Sequence, residues 1–305
     1  MSTITPFAVL KAVADAVPKD CHPNIVIIGS LAAGYHFFRQ DTSKAVRTKD
    51  VDCVLEPFHA AVGTGKNLAA RLLEAGWTQQ AGGSGNAPGT TATPVDQLPV
   101  VRLYPPGVEQ NSELAWFIEL LTVPESNAVK GKKWTRLELQ TGHFGLPTFR
   151  FLSVTAHEPL PVGNLGIRYA QPMKMALANL LEHPRIKADR MSSPFAGRSI
   201  KRSNKDLGRV LAMTILADLD DYRPWADAWQ SALQECFREE WKTIAQNTGS
   251  GLRALLSSDE DLEQAWYTCA NGLLASQPPK LDELKTAGER LLGDAVERLE
   301  SVAQA

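Results

Sequence analysis

Residues 24–55 read NIVIIGSLAAGYHFFRQDTSKAVRTKDVDCVL, and the two ends of this stretch decide the fold. Residues 24–28 are short, β-branched and almost wholly apolar, the composition of a strand buried on both faces. The run stops at Gly29-Ser30, after which residues 31–38 favour a helix. A polar segment follows. Then Asp50-Val51-Asp52-Cys53-Val54-Leu55 alternates acid with apolar before turning apolar throughout. Side chains at i and i+2 of a strand share a face, roughly 6.5–7 Å apart along the chain. Asp50 and Asp52 are therefore expected to converge, with Val51 turned to the core.

Working outward, residues 5–17 predict an amphipathic helix, with Thr5 as N-cap and Pro6 at the first helical position. Residues 64–75 predict another, closed by Gly76. The Gly-, Ala-, Thr- and Pro-rich stretch 81–94 predicts a mobile loop. Strand-like runs follow at 100–104, 116–123, 149–154 and 165–169. Beyond Pro172 the character changes, and 173–182, 203–217, 225–245, 252–273 and 281–302 all favour helix. The expectation is an α+β fold: a mixed-sheet domain with flanking helices over residues 1–170, then an all-helical domain over 171–305. No internal repeat is visible.

The composition supports a soluble globular chain, 44% hydrophobic and 22% charged, with net charge -2. Near-neutrality gives no bulk electrostatic case for a nucleic-acid or membrane partner, so any basic surface must be local. Cys21, Cys53, Cys236 and Cys269 are too scattered for a zinc site or a disulfide framework. The first residues lack the pattern of a signal peptide, and no run approaches the ~18 apolar residues of a membrane span. A reduced, cytoplasmic protein is expected.

A third carboxylate, Glu119, stands inside the apolar run Trp116-Phe117-Ile118-Glu119-Leu120-Leu121. A lone Glu there is costly to bury unless it binds a metal or pairs with a cation such as Arg102. Three carboxylates on neighbouring strands suit hard divalent cations, as phosphoryl and nucleotidyl transfer require. Gly29-Ser30, at a strand-to-helix junction, offers backbone N–H groups to a phosphate. Ser30 also suits a helix N-cap.

Gly29-Ser30 followed by Arg47-Thr48-x-Asp50-x-Asp52 resembles the G-S…T-x-D-x-D signature of the nucleotidyltransferase superfamily. Within it the chain is most similar to the branch of AbiEii-type abortive-infection toxins. Pro172-x-Lys174-x-Ala176-Leu177 and Lys205-Asp206-Leu207 resemble that branch's helical lysine and its K-D-x-x-D-L element. Arg209 occupies the place of the second acid, and Arg47 directly adjoins Thr48 where the branch often spaces them. The resemblance covers roughly residues 24–210.

It implies a nucleotidyltransferase fold with Asp50, Asp52 and Glu119 holding two Mg²⁺ ions. Gly29, Ser30, Arg47, Thr48 and Lys205 would bind the nucleotide, Lys174 would take a catalytic place near it, and Arg47 and Thr48 would also buttress the loop before the acidic strand. The implied reaction transfers NMP from an NTP, ATP among them, to an acceptor hydroxyl. It further implies a toxin of a toxin–antitoxin or phage-defence pair acting on tRNA or protein, with an antitoxin as partner and neither membrane nor DNA expected. Two alternatives stand beside it: a small-molecule transferase of the aminoglycoside type, and a nucleotide-binding module without turnover.

Plainer readings accompany several motifs. Asp50 and Asp52 would also suit the charged face of an edge strand, although VDCVL is apolar for an edge. Gly63-Thr64-Gly65-Lys66-Asn67 fails the phosphate-loop pattern and reads as a loop entering a helix. Asp206 suits a helix start capped by Ser203. The six histidines, His36 included, lack metal-ligand spacing, and Trp225, Trp229 and Trp241 read as core. Arg185, Lys187, Arg190, Arg198, Lys201, Arg202 and Lys205 form the one local charge excess, either a solvated face or a track for polyanions.

Overall fold

The computed structural model describes residues 3–39, 41, 43–80, 87–110, 112, 115–126, 133–186, 189–191 and 194–305. The chain begins with β1 (Thr3–Ile4), α1 (Pro6–Ala16), β2 (Ile25–Ile28) and α2 (Gly29–Phe38). Next come β3 (Val46–Arg47), β4 (Asp50–Leu55), α3 (Phe58–Glu74), β5 (Thr78–Gln79), β6 (Arg102–Tyr104) and β7 (Phe117–Thr122). A hairpin of β8 (Lys133–Leu139) and β9 (Gly142–Thr148) follows, then α4 (Leu152–Ala156), β10 (Leu160–Pro161) and β11 (Arg168–Tyr169). The rest is helical: α5 (Pro172–Ile186), α6 (Arg202–Ala217), α7 (Arg223–Cys236), α8 (Trp241–Ala245), α9 (Ser250–Leu256), α10 (Asp259–Ala270), α11 (Leu281–Leu291) and α12 (Glu297–Gln304). A π-helical turn, Leu292–Val296, joins the last two. The architecture is α+β, and no helix among the described residues is long and apolar enough to cross a membrane.

Seven strands form one mixed sheet in the order β10-β11-β2-β4-β7-β6-β5. The acidic strand β4 lies at its centre, antiparallel to β2 and parallel to β7, and is not an edge. That position follows from its composition. Val51, Cys53, Val54 and Leu55 are fully buried, and burying one such aliphatic side chain contributes about 1.5–3 kcal/mol. Only the first half of the strand keeps polar groups, so only that end can open to solvent.

One apolar core runs from the sheet into the helices. The change of character falls between Tyr169 and Pro172, but α2 packs on both α5 and α6. Helix α6 in turn lies between α5, α10 and α11. Its contact with α10 is closest at Gly208, where a Cβ would stand 2.0 Å from Thr268 Oγ1 and 2.6 Å from the Ala265 carbonyl. Trp225 and Trp229 are buried, and the Trp229 indole donates to the Met173 carbonyl at 2.7 Å, tying α7 to α5.

Several expected elements differ. Residues 149–154 form a turn and then α4 instead of a strand, and the adjacent strand is β9. The expected helix 225–245 breaks after Cys236 and that at 252–273 after Leu256. Thr5 stands at the N-cap of α1 without a side-chain cap bond. Ser203 lies inside α6, buried, and Lys201 is the N-cap residue. The sequence 63–67 sits in the middle of α3, with Thr64 and Gly65 buried, so it is neither a phosphate loop nor a loop. The first six residues of the expected loop 81–94 lie outside the described residues.

Candidate functional site

The polar half of β4 opens onto a cavity of about 920 Å³, walled on the far side by α5 and α6. Its floor is set by strand register. Asp52 lies opposite Ile28 on β2 and opposite Glu119 on β7, and Asp50 lies two residues before it on the same face. Ser30, Arg47, Thr48 and Lys205 also line the cavity.

Gly29 lies against this floor with φ +79, a conformation that side chains disfavour. A Cβ there would come within 2.8 Å of Asp52 Oδ2, so the residue is constrained twice, by backbone angle and by space. The turn lets the backbone pass directly from β2 into α2, whose first residues, Gly29 and Ser30, line the cavity. Thr48 holds the approach to β4: the Asp50 backbone N–H donates to Thr48 Oγ1 at 3.3 Å. Arg47 Nη1 donates to Asn271 Oδ1 at 3.4 Å, and its backbone N–H to the Gly272 carbonyl.

Three acids in neighbouring positions repel one another. The Asp52 carboxyl is pushed up to about 7, first by burial and then by the charges of Asp50 and Glu119. Arg209 and Lys205 oppose the shift. Glu119 is claimed by a cation: Arg102, directly opposite it on β6, donates from Nε to Glu119 Oε2 at 2.7 Å. The same guanidinium donates from Nη1 to Gln80 Oε1 and stands 5.2 Å from the Phe117 ring centroid. The structure thus carries both environments foreseen for Glu119, beside Asp52 and paired with Arg102. Among the described residues, no three His, Cys, Asp or Glu side chains are gathered closely enough to hold a metal together.

Lys174 is placed elsewhere. It is only 2% exposed and does not line the cavity. Its ammonium donates to the His157 carbonyl at 2.9 Å and to Glu158 Oε2 at 2.7 Å, and lies 2.7 Å from His157 Nδ1. A buried ammonium needs partners for its protons, and this turn supplies them. The cations of the cavity come instead from other elements, chiefly α6, whose Arg202, Lys205 and Arg209 recur one turn apart.

Arg209 stood in the sequence only as a departure from a family pattern. Its spacing of four from Lys205 is the signal that would have placed both on one helical face. Asp206 also lines the cavity, beside these cations.

The basic run 185–205 is not one uniform surface. Arg198 pairs with Glu263 at 3.3 Å and lies over the Tyr267 ring, while Lys201 pairs with Asp261 at 2.6 Å. Arg190, Arg202 and Lys205 line the cavity. Lys187 and the side chain of Arg185 lie outside the described residues. His36 does not line the cavity. It is held at Tyr169 Oη, and burial first, then Arg39, lowers its pKa to about 4.

The cavity therefore joins an acidic floor, a strand-to-helix turn at Gly29-Ser30, and a wall that carries Arg202, Lys205 and Arg209 beside Glu182 and Asp206. Such a site suits a polyanion delivered with a divalent cation. No family model, curated protein or solved structure compared with the chain matches it.

Proposed function

We propose that this cavity binds a nucleoside triphosphate and transfers its nucleotidyl group to an acceptor hydroxyl, as in nucleotidyltransferases of the type the sequence resembles. The observation that carries this reading is the position of Asp50 and Asp52 at the mouth of the central strand, beside the left-handed turn at Gly29. Asp50, Asp52 and Glu119 face a wall on which Arg202, Lys205 and Arg209 stand beside Glu182 and Asp206. The donor set fits a hard divalent cation: all oxygens, and crowded enough that Asp52 resists ionisation. Asp50 and Asp52 would hold Mg²⁺, with the phosphates completing its shell, while Glu119 stays paired with Arg102. When bound, the metal would supply charge neutralisation at the phosphates and activation of the acceptor oxygen.

The chain's own groups bind and orient. The backbone N–H groups after Gly29 and the Ser30 hydroxyl receive phosphate oxygens, and Lys205 faces them across the cavity. The acceptor oxygen forms a bond to the α-phosphorus, and the bridge to the β-phosphate breaks. Pyrophosphate leaves with the electron pair, and the acceptor proton is released to solvent. Arg190 and Arg202 at the cavity wall favour a polyanionic acceptor such as tRNA over an aminoglycoside, which would call for an acidic acceptor pocket. A toxin role, restrained by an antitoxin, follows from the resemblance.

A nucleotide-binding module without turnover is the second reading, favoured by the Arg102–Glu119 ion pair, which already neutralises the third carboxylate. Incubation with each α-phosphate-labelled NTP, Mg²⁺ and a bacterial RNA and protein extract separates the two. Label transfer that disappears in the Asp50→Ala/Asp52→Ala double variant supports the enzyme. Mg²⁺-dependent NTP binding without transfer supports the module, and neither binding nor transfer refutes both.

A further inference from the structure

Two cations project from successive turns of α6 toward the acidic floor. Lys205 and Arg209 are four residues apart, both half-buried and both lining the cavity. At that spacing helical side chains are neighbours on one face. Both positive charges act on Asp52. Neither forms an ion pair or a side-chain hydrogen bond with a described residue, whereas Arg102 is committed to Glu119 and Gln80, and Lys174 to His157 and Glu158. The buried face of α6 is fixed by Gly208 against α10, between the two cations in sequence. The pair is thus held on a rigid helix, and its charge is directed at the place where phosphates would meet the acids.

We infer that Lys205 and Arg209 form a polyphosphate clamp, with Arg209 as its principal phosphate-binding residue. The inference rests on the nucleotide reading above and deepens it by assigning the cation that site requires. A guanidinium fits two oxygens of a phosphate at once, whereas an ammonium acts as a point charge. Arg209 therefore sets the geometry, and Lys205 adds charge beside it. The acid that the resembled element carries at position 209 would repel a polyphosphate; this chain carries the opposite charge there.

The test is binding of inorganic tripolyphosphate to the full chain by calorimetry, first without Mg²⁺ and then with it, beside each NTP. Arg209→Gln is expected to weaken tripolyphosphate binding roughly tenfold to a hundredfold, as for loss of a charge-assisted bidentate contact. Arg209→Lys should recover only part of that loss, because charge returns without the fork. Lys174→Met should leave the affinity within about twofold while lowering the melting temperature, because its partners are structural. Thermal melts show whether each variant is folded, and half-buried Arg209 gives a variant that tests binding without disturbing the core. Equal affinity of Arg209→Gln and wild type overturns the clamp and leaves the nucleotide reading standing. If the wild-type chain binds neither tripolyphosphate nor any NTP, both fall together.

Discussion

Replacing Asp52 by Asn should make the protein more stable and the site inert. The carboxyl is held at about 7 against an ordinary 3.8, because ionising it in a half-buried position beside Asp50 and Glu119 is unfavourable. At 1.36 kcal/mol per pK unit that difference bounds the cost of ionised Asp52 at about 4 kcal/mol. Repulsion shared among three acids, with solvent at the cavity mouth, reduces the expected gain to about 1–2 kcal/mol.

The sign follows from proton counts. The folded state keeps the proton to higher pH than the unfolded chain, so this carboxyl lowers stability progressively as pH rises between about 4 and 7. Asn is neutral throughout. Urea unfolding in a chelator should therefore show Asp52→Asn more stable than wild type at pH 8, with the gain falling by about half or more at pH 5. Mg²⁺ should stabilise the wild type and not the variant, because only a state that binds the ion gains from it. A variant no more stable than wild type at pH 8, or a gain that does not shrink on acidification, refutes the reasoning.

Other perturbations test the surrounding frame. Gly29→Ala meets both a left-handed backbone and the Asp52 oxygen, and should cost about 1–3 kcal/mol in chemical unfolding together with most NTP affinity. Gly208→Ala should cost about 1–3 kcal/mol by forcing α6 from α10, and should weaken tripolyphosphate binding although residue 208 touches no ligand. A double-mutant cycle of Arg102→Gln and Glu119→Gln should give about 1–2 kcal/mol of coupling in urea denaturation; zero coupling would mean their ion pair adds nothing to stability.

The strands that build the site were legible because their signals are local. Ile25–Ile28, Asp50–Leu55 and Phe117–Thr122 are dense in β-branched or large apolar residues and end at recognisable punctuation. The β8–β9 hairpin was not. Gly142, Gly145 and Pro147 are poor strand residues, and pairing is possible because the Trp134 ring covers the space above Gly145, a contact no window of sequence shows. Residues 149–154 misled in the opposite way: aromatic and branched side chains suggested a strand, but Phe151 and Leu152 bury against helices as the chain turns into α4.

The same limit applies within the site. Acids two apart on a strand must share a face, so Asp50 and Asp52 could be paired from sequence. The direction of Lys174 depends on a turn at His157 and Glu158, distant along the chain and adjacent in space. Arg102 could be named from sequence as a partner for Glu119, but choosing that pair over a metal required the register of β6 against β7. Local periodicity reveals what one element presents to its neighbours, while the identity of the neighbour comes from topology.

The lack of room for a Cβ at Gly29 beside the Asp52 oxygen links the fates of two positions 23 residues apart in sequence. As the chain drifts over generations, neither can change alone without penalty while the site is in use: a side chain at 29 displaces the acid, and a bulkier residue at 52 presses on the turn. Truncation of the acid would relieve the crowding at 29 but not the left-handed backbone, so the glycine should outlast the acid. In a descendant with a neutral residue at 52, a glycine still kinked beneath it would mark where the acid had been.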